Sequence, residues 1–179
     1  MTGSSPDPVA TLSENGITAV FDHCAVAAPR LRDLLPLYRD VLGGVFANGG
    51  DNQRIGYRAM QLAFGNGSRI ELMEPLAGST FFDSFFRRGG GLHHVTFKVN
   101  DLRAAIALLE DRSVPLTGLY LGDPNWLEVF IHPRDAQGVL VQLAQAPPGF
   151  PAPPGDLTIE DILAGKGSPT GEGNGIPSP

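Results

Sequence analysis

The sequence is poor in cysteine, in lysine and in long apolar runs, and each shortage excludes a class of protein. A single cysteine, Cys24, rules out an internal disulfide framework and a cysteine-rich zinc site. No run of about 18 apolar residues is present, so a membrane span is not expected. The net charge is −6, with two lysines among the 13 basic residues, which argues against nucleic-acid binding led by phosphate contacts. We therefore expect neither a membrane nor a nucleic acid as a partner.

The two ends of the chain differ in composition from its centre. The first 15 residues lack the basic and apolar regions of a secretory signal, which favours a cytoplasmic protein. Residues 147–179 hold 8 of the 16 prolines and 7 of the 23 glycines. We predict a flexible N-terminal segment over 1–16, a packed body over 17–146 and a proline/glycine-rich tail over 147–179. A short helix over 157–164 is expected within the tail, and whether it docks on the body, docks on a partner or frays stays open here.

The body contains an internal repeat with a shift of 71 residues. The shift places His23 on His94 and Asp40 on Asp111, and it also places Leu31-Arg32 on Leu102-Arg103. Near the end of each copy the same shift, without a gap, places Glu71 on Gln142. Because the register holds at both ends, two copies of one supersecondary unit are the simplest explanation.

Each copy has the pattern strand, helix and three further strands, a βαβββ module. In the first copy a helical period follows the first strand, although Pro36 lies inside it and should kink the helix or move its start to about Leu34. A short helix over 80–88 connects the copies, and we expect its four phenylalanines to serve in packing. The sequence thus predicts an α+β fold in which two tandem βαβββ modules, about 17–78 and 91–146, form a curved, cleft-containing mixed sheet.

Four polar residues occupy matched places in this predicted sheet. His23 precedes Glu71 by 48 residues, and His94 precedes Gln142 by 48. If the first and last strands of each module are neighbours, all four side chains can meet in the cleft. Two imidazoles, a carboxylate and an amide oxygen suit one divalent ion, such as Zn, Ni, Co, Fe, Mn or Mg. By strand alternation, His93 should face away from His94 and from the site.

Several ordered motifs resemble those of the vicinal-oxygen-chelate superfamily, which comprises the glyoxalase, bleomycin-resistance and dioxygenase proteins. They are Asp22-His23, Tyr38-Arg-Asp-Val-Leu-Gly43, Ile70-Glu-Leu-Met-Glu-Pro-Leu76, Gly91-Leu-His-His94 and His132-Pro-Arg with Gly138-Val-Leu-Val-Gln142. The set is nearest to the methylmalonyl-CoA epimerase branch and covers about 20–145. The resemblance implies a metal held by His23, Glu71, His94 and Gln142, and a homodimer. It leaves open whether one chain or two form the cleft.

The sequence departs from the epimerase pattern at its last ligand position. The epimerases resembled here usually have glutamate there, whereas this chain has Gln142, and an amide cannot take up a proton. The region 48–64, which can carry a second carboxylate in those proteins, offers only Asp51. We therefore assign the catalytic proton transfer to Glu71 as a single base.

The first functional hypothesis is a metal-dependent isomerase or epimerase that moves a proton next to a carbonyl group. Its substrate would be a small molecule, with a CoA thioester such as methylmalonyl-CoA as the first candidate and Arg54, Arg58, Arg87 or Arg88 as candidates for its phosphates. Two alternatives stay open. One is another reaction on the same scaffold, a non-haem iron dioxygenase or a lyase. The other is a protein that binds a small molecule without catalysis.

Overall fold

The computed structural model describes residues 11–150 and 155–167, and eight β-strands dominate it. The first and fifth strands pair in antiparallel orientation, and this pairing joins all eight strands in one continuous sheet. The strands are β1 (Ala19–Ala27), β2 (Val45–Asn52), β3 (Tyr57–Ala63), β4 (Arg69–Pro75), β5 (Gly91–Val99), β6 (Leu116–Asp123), β7 (Trp126–Ile131) and β8 (Leu140–Gln145). The α-helices are α1 (Asp83–Arg87), α2 (Leu102–Asp111) and α3 (Ile159–Leu163).

The strand order is β2-β3-β4-β1-β5-β8-β7-β6. In each half the first strand of the module lies parallel to the last, β1 beside β4 and β5 beside β8. The halves therefore have the same topology, as the 71-residue repeat predicts. The predicted fold class is confirmed, and both modules of the cleft come from one chain.

The helical segment of the first module is broken, whereas that of the second is regular. A 3₁₀ turn at Leu31–Asp33 is followed by a π-helical segment at Pro36–Val41. Pro36 has no N–H to donate and cannot continue a regular α-helix from the preceding turn. In the second module the Asp101 carboxylate accepts a hydrogen bond from the backbone N–H of Ala104, which caps α2.

A phenylalanine-rich segment connects the two modules and packs into the sheet. Phe82 and Phe85 are buried against residues of both halves, including Met73 of β4 and Phe130 of β7. Three glycines then turn the chain into β5, and all of them have positive φ angles, which glycine adopts without strain. The segment is core packing, as predicted, and it brings the paired histidines of β5 next to β1.

The C-terminal segment docks on the sheet face opposite to Glu71. The side chain of Ile162 in α3 is fully buried in a cluster with Met60 and Leu72. The predicted short helix is present as α3, and a capping box with reciprocal hydrogen bonds between Thr158 and Asp161 begins it. This answers, in favour of docking on the body, the question that the sequence left open for this helix.

Asp51 and Arg58 hold that docked segment and lie away from the cleft. The Arg58 guanidinium donates to both oxygens of Asp51, at 2.6 and 2.9 Å, and to the backbone carbonyl of Leu163 at 2.9 Å. Arg58 lies three residues before Gln61 on β3 and therefore on the opposite face from it, whereas Gln61 pairs with Glu71 and shares its face. Asp51 is thus no substitute for a second carboxylate in the site, and Arg58 is placed to bind the tail rather than a substrate.

Replacing Ile162 with alanine should lower the free energy of unfolding by about 3 kcal/mol, because it leaves a cavity in a closed apolar cluster. Urea denaturation measures the difference. Glu160→Gln is the control on the same helix, since its ion pair with Arg32 is exposed and should contribute less than about 1 kcal/mol. Equal stability of I162A and wild type would mean that α3 does not dock in solution.

The predicted N-terminal segment and C-terminal tail lie partly outside the described residues. Residues 1–10, 151–154 and 168–179 are the ones not described. Residues 13–15 form a 3₁₀ turn, and Ile17 is buried beside α2. Among the described residues, no helix is long and apolar enough to cross a membrane.

Candidate metal centre

Three metal-binding side chains meet on the concave face of the sheet. His23 lies on β1, Glu71 on β4 and His94 on β5, and these strands are neighbours. The Glu71 Oε2 atom lies 3.9 Å from Nε2 of His23 and 3.8 Å from Nε2 of His94. Both histidines are buried, whereas the Glu71 side chain remains 12% exposed. The two histidines are therefore shielded from solvent, and the cluster is accessible through the cleft at Glu71.

The two distances from Glu71 fit a shared ion. One ligand atom from each residue can be chosen so that all three lie within 4.8 Å of one another. Two atoms that each sit about 2.1 Å from one ion are at most about 4.2 Å apart, and both distances from Glu71 fall below that limit. Imidazole nitrogen and carboxylate oxygen are suitable donors for Zn, Co, Ni, Fe or Mn. A divalent ion thus fits the residues present.

The fourth predicted residue, Gln142, joins the cluster through Thr96. Gln142 and Thr96 are paired across β8 and β5, and both are buried. The Thr96 hydroxyl donates to Oε1 of Gln142 at 2.6 Å and lies 3.1 Å from Nε2 of His23. The amide oxygen is therefore on the same side as the imidazoles.

A β-bulge orients His23. The register between β1 and β5 shifts between Phe21 and His23, so Asp22 is an extra residue and lies beside His23. Nδ1–H of His23 donates to the Asp22 carboxylate at 2.7 Å, which leaves Nε2 to face the Glu71 oxygen. Burial raises the pKa of Asp22, but the His23 hydrogen bond and the charges of Lys98 and Arg69 outweigh it and hold that pKa at about 2.

A second β-bulge orients His94. It also contradicts the prediction that His93 faces away from the site. The register shifts again between Ala25 and Val26, because His93 is an extra residue in β5. The expectation that His93 faces away from the site is wrong: strand alternation fails at a bulge, and Nδ1 of His93 lies 2.9 Å from Nδ1 of His94. If His94 offers the Nε2 lone pair to an ion, its Nδ1–H donates to His93. Positions 22 and 93 correspond in the repeat, so each histidine has a partner at its Nδ1.

Burial favours the neutral form of both residues of this histidine pair. Burial lowers the pKa of His93 to about 4 and that of His94 well below its usual value. Nε2 of His93 is buried without a hydrogen-bond partner among the described residues, and its ring packs edge-on against Phe82 and Phe85. A neutral imidazole at position 94 keeps a lone pair available for a metal without first losing a proton.

Glu71 is held from the side of β3. Gln61, its partner in the β3–β4 register, hydrogen bonds to its carboxylate. Burial raises the pKa of Glu71, an effect that the neighbouring His23 opposes. A raised pKa makes this carboxylate a better proton acceptor than an exposed one.

The sequence prediction missed Glu128 of β7, which is only 3% exposed. Its Oε2 accepts hydrogen bonds from Nε2 of Gln142 and from Nε1 of Trp126, each at 2.7 Å. Burial raises the pKa of Glu128 to about 7. A signal was available: Glu128 is the charged residue in an otherwise apolar strand, and it shares the inward parity of Phe130, which pairs with Gln142.

The cleft is bridged at one end. The guanidinium carbon of Arg54, in the turn after β2, lies 5.2 Å from the ring centroid of Tyr120 on β6. Since β2 and β6 are the two edges of the sheet, this cation–π contact joins them across the cleft. A cavity of about 440 Å³ lies beside this turn, bordered by Gln53, Ser79 and Phe81 among others. Arg54, one of the four predicted phosphate-binding arginines, therefore lies at both the cleft and a cavity.

This fold and this constellation of donors define a class. Residues 22–142 match the glyoxalase/bleomycin resistance protein/dioxygenase superfamily, and the chain belongs to that superfamily. The resemblance seen in the sequence is confirmed.

Within the superfamily the chain is similar to methylmalonyl-CoA epimerases. It is 32% identical over 129 residues to the mitochondrial methylmalonyl-CoA epimerase of Mus musculus, and the aligned region covers 70% of this chain and 72% of that protein. The crystal structure of the Mycobacterium tuberculosis enzyme superimposes with a TM-score of 0.64 and 32% identity, covering 74% of this chain and 91% of that one. A methylmalonyl-CoA epimerase in complex with methylmalonyl-CoA and NH4+ has a TM-score of 0.62 and 26% identity, covering 73% and 96%.

Proposed function

We propose that this chain is a metal-dependent epimerase that acts on an acyl-CoA of the methylmalonyl-CoA type. One observation carries the proposal: two imidazoles and a carboxylate converge in the cleft of a chain whose relatives are methylmalonyl-CoA epimerases. The proposed ligands are His23, Glu71, His94 and Gln142. A divalent ion held by them would supply positive charge next to the negative charge that develops on a thioester oxygen.

Glu71 is the group that we assign to the proton transfer. Its carboxylate faces the cleft, burial raises its pKa, and the amide of Gln142 cannot replace it as a base. When Glu71 takes the proton from the carbon next to the thioester, the electron pair of the C–H bond moves into the carbonyl group. A proton delivered by solvent to the opposite face of that carbon, with Glu71 giving its own proton to solvent, gives the epimer.

The test is exchange of the substrate's α-proton. Methylmalonyl-CoA is incubated with the protein in D2O, and deuterium at the carbon between the two carbonyl groups is followed by mass spectrometry. We expect exchange with a bound divalent ion, loss of exchange after EDTA treatment, and recovery when one divalent metal is added back. Propionyl-CoA is the control, since it lacks the second carbonyl group that acidifies this proton. No exchange by metal-loaded protein would exclude the epimerase.

A second function is favoured by one observation. His23, His94 and Glu71 together are the two-histidine, one-carboxylate set that non-haem iron oxygenases use. Oxygen consumption by the iron-loaded protein with a catechol, measured with an oxygen electrode, separates this function from the epimerase. Protein that binds no metal and exchanges no proton would instead fit a small-molecule-binding role.

The proposal includes a homodimer and a cytoplasmic location. Large apolar side chains are exposed in the segment that leads into β2, among them Leu37, Val41, Leu42 and Val45. A contiguous exposed apolar surface of this kind is typical of a protein interface. Sedimentation equilibrium of the purified chain tests the assembly.

A further inference from the structure

We propose that Glu128 is the positioning residue that fixes Gln142 as an oxygen ligand of the metal, by accepting a hydrogen bond from its amide. This inference rests on the metal site of the proposed function and adds a residue outside that ligand set. It concerns how an amide can serve at a ligand position at all.

An amide ligand has an orientation problem that a carboxylate lacks. The two oxygens of a carboxylate are equivalent, so either can face an ion. An amide has one oxygen and one NH2 group, and a rotation of 180° about its last bond places two N–H donors where the lone pairs should be. Gln142 therefore needs a neighbour that distinguishes its two ends.

Glu128 can make that distinction, because its Oε2 atom serves as a hydrogen-bond acceptor. It therefore attracts the NH2 end of the Gln142 amide and not its oxygen end. The Oε2 atom of Glu128 lies 2.7 Å from Nε2 of Gln142. With the NH2 group held there, Oε1 of Gln142 is directed to the other side, where it accepts from Thr96, 3.1 Å from Nε2 of His23. The hydroxyl of Thr96 can donate or accept and would tolerate either orientation of the amide, so Glu128 decides it.

Glu128 is itself fixed from behind. Nε1–H of Trp126 donates to the same Oε2 atom at 2.7 Å. The Trp126 ring packs against Phe150 and under Nζ of Lys98. The buried carboxylate oxygen thus receives two converging N–H donors, and the second of them is the ligand's amide.

The site also keeps a carboxylate close to the fourth ligand position. In this chain the ligand atom belongs to an amide and the carboxylate lies one hydrogen bond behind it. Both hydrogen bonds end on the one atom Oε2, so glutamine at position 128 can keep them by placing its amide oxygen there, whereas leucine, of similar volume, removes the acceptor. This pair of variants separates loss of the acceptor from loss of the negative charge.

The experiment measures Co2+ binding by the full chain, using the visible absorption of the bound ion and its dissociation constant. Glu128→Leu should weaken binding by about 10- to 100-fold, because nothing at position 128 then selects one orientation of Gln142. Glu128→Gln keeps an oxygen in the place of Oε2, held there by Trp126, and should restore binding to within about threefold of wild type. Glu110→Gln, which removes an exposed carboxylate on α2, is the control matched in charge and should bind Co2+ as wild type does.

Two results would overturn the inference while leaving the metal site intact. One is an E128L variant that binds Co2+ as tightly as wild type, and the other is an E128Q variant that binds no better than E128L. Failure of the wild type to bind Co2+ would overturn the metal site and this inference together. Thermal unfolding of each metal-free variant shows whether weaker binding reflects a change at the site or loss of the fold.

Discussion

Replacing Glu71 with glutamine is expected to lower the rate of α-proton exchange by about 10²- to 10⁴-fold at saturating metal, the usual contribution of a positioned base. Glutamine keeps an oxygen at the ligand position and nearly the same volume, but it cannot take up a proton. The change therefore separates the two roles that we assign to this residue. Metal binding should persist, with a weaker affinity because one negative charge is lost.

The measurement is deuterium exchange of methylmalonyl-CoA at metal concentrations raised until the rate no longer increases. Glu74→Gln is the matched control: it lies three residues along the same strand, on the opposite face, where its carboxylate accepts from the backbone N–H of Leu31. That variant should exchange at the wild-type rate. If E71Q bound metal and still exchanged the proton, another group would have to be the base.

Replacing His94 with alanine should weaken divalent-metal binding by about 100- to 1,000-fold. Sites with four protein ligands bind Zn2+ with about 10–16 kcal/mol in total, so one ligand contributes roughly 3–4 kcal/mol, and each 1.4 kcal/mol is a factor of ten. We expect about one ion per wild-type chain after purification without added metal, and none in H94A. Elemental analysis and titration calorimetry with Zn2+ give the two values.

Two further histidine variants show whether that loss is specific. His93→Ala removes only the group that faces Nδ1 of His94, and a loss of about 10- to 100-fold is expected. His132→Ala should have no effect, because His132 accepts a hydrogen bond from the backbone of Arg134 in a surface turn. Equal affinities of wild type and H94A would remove His94 from the site.

The internal repeat was enough to predict the two modules and to predict that their polar residues lie close together. A shift that holds from His23 to Glu71 requires the same total chain length between the first and last strands of each copy, although individual strands and turns differ in length. A shared length and a shared hydrophobic pattern indicate the same supersecondary unit. This is why His23, Glu71 and His94 could be placed together before any strand pairing was known, and why Gln142 followed as their fourth neighbour.

What escaped prediction depends on local register and on single buried contacts. The bulges at Asp22 and His93 break strand alternation, and nothing in the residue types at these positions signals an inserted residue. Glu128 has no polar counterpart in the repeat, since the 71-residue shift places it on Tyr57. The sequence predicted that Pro36 would kink the first helix or move its start to about Leu34, whereas a 3₁₀ turn precedes Pro36 and a π-helical segment begins at it.

The joint between β1 and β5 determines how many chains a working site requires. Because this antiparallel pair joins the two modules within one polypeptide, each chain brings its own His23 and its own His94 to the same cleft. We therefore expect that two copies altered at different proposed ligands do not restore a site when they are mixed, since neither chain can supply the missing side chain to the other. Genetic complementation between two such alleles should then be absent, even in a dimer.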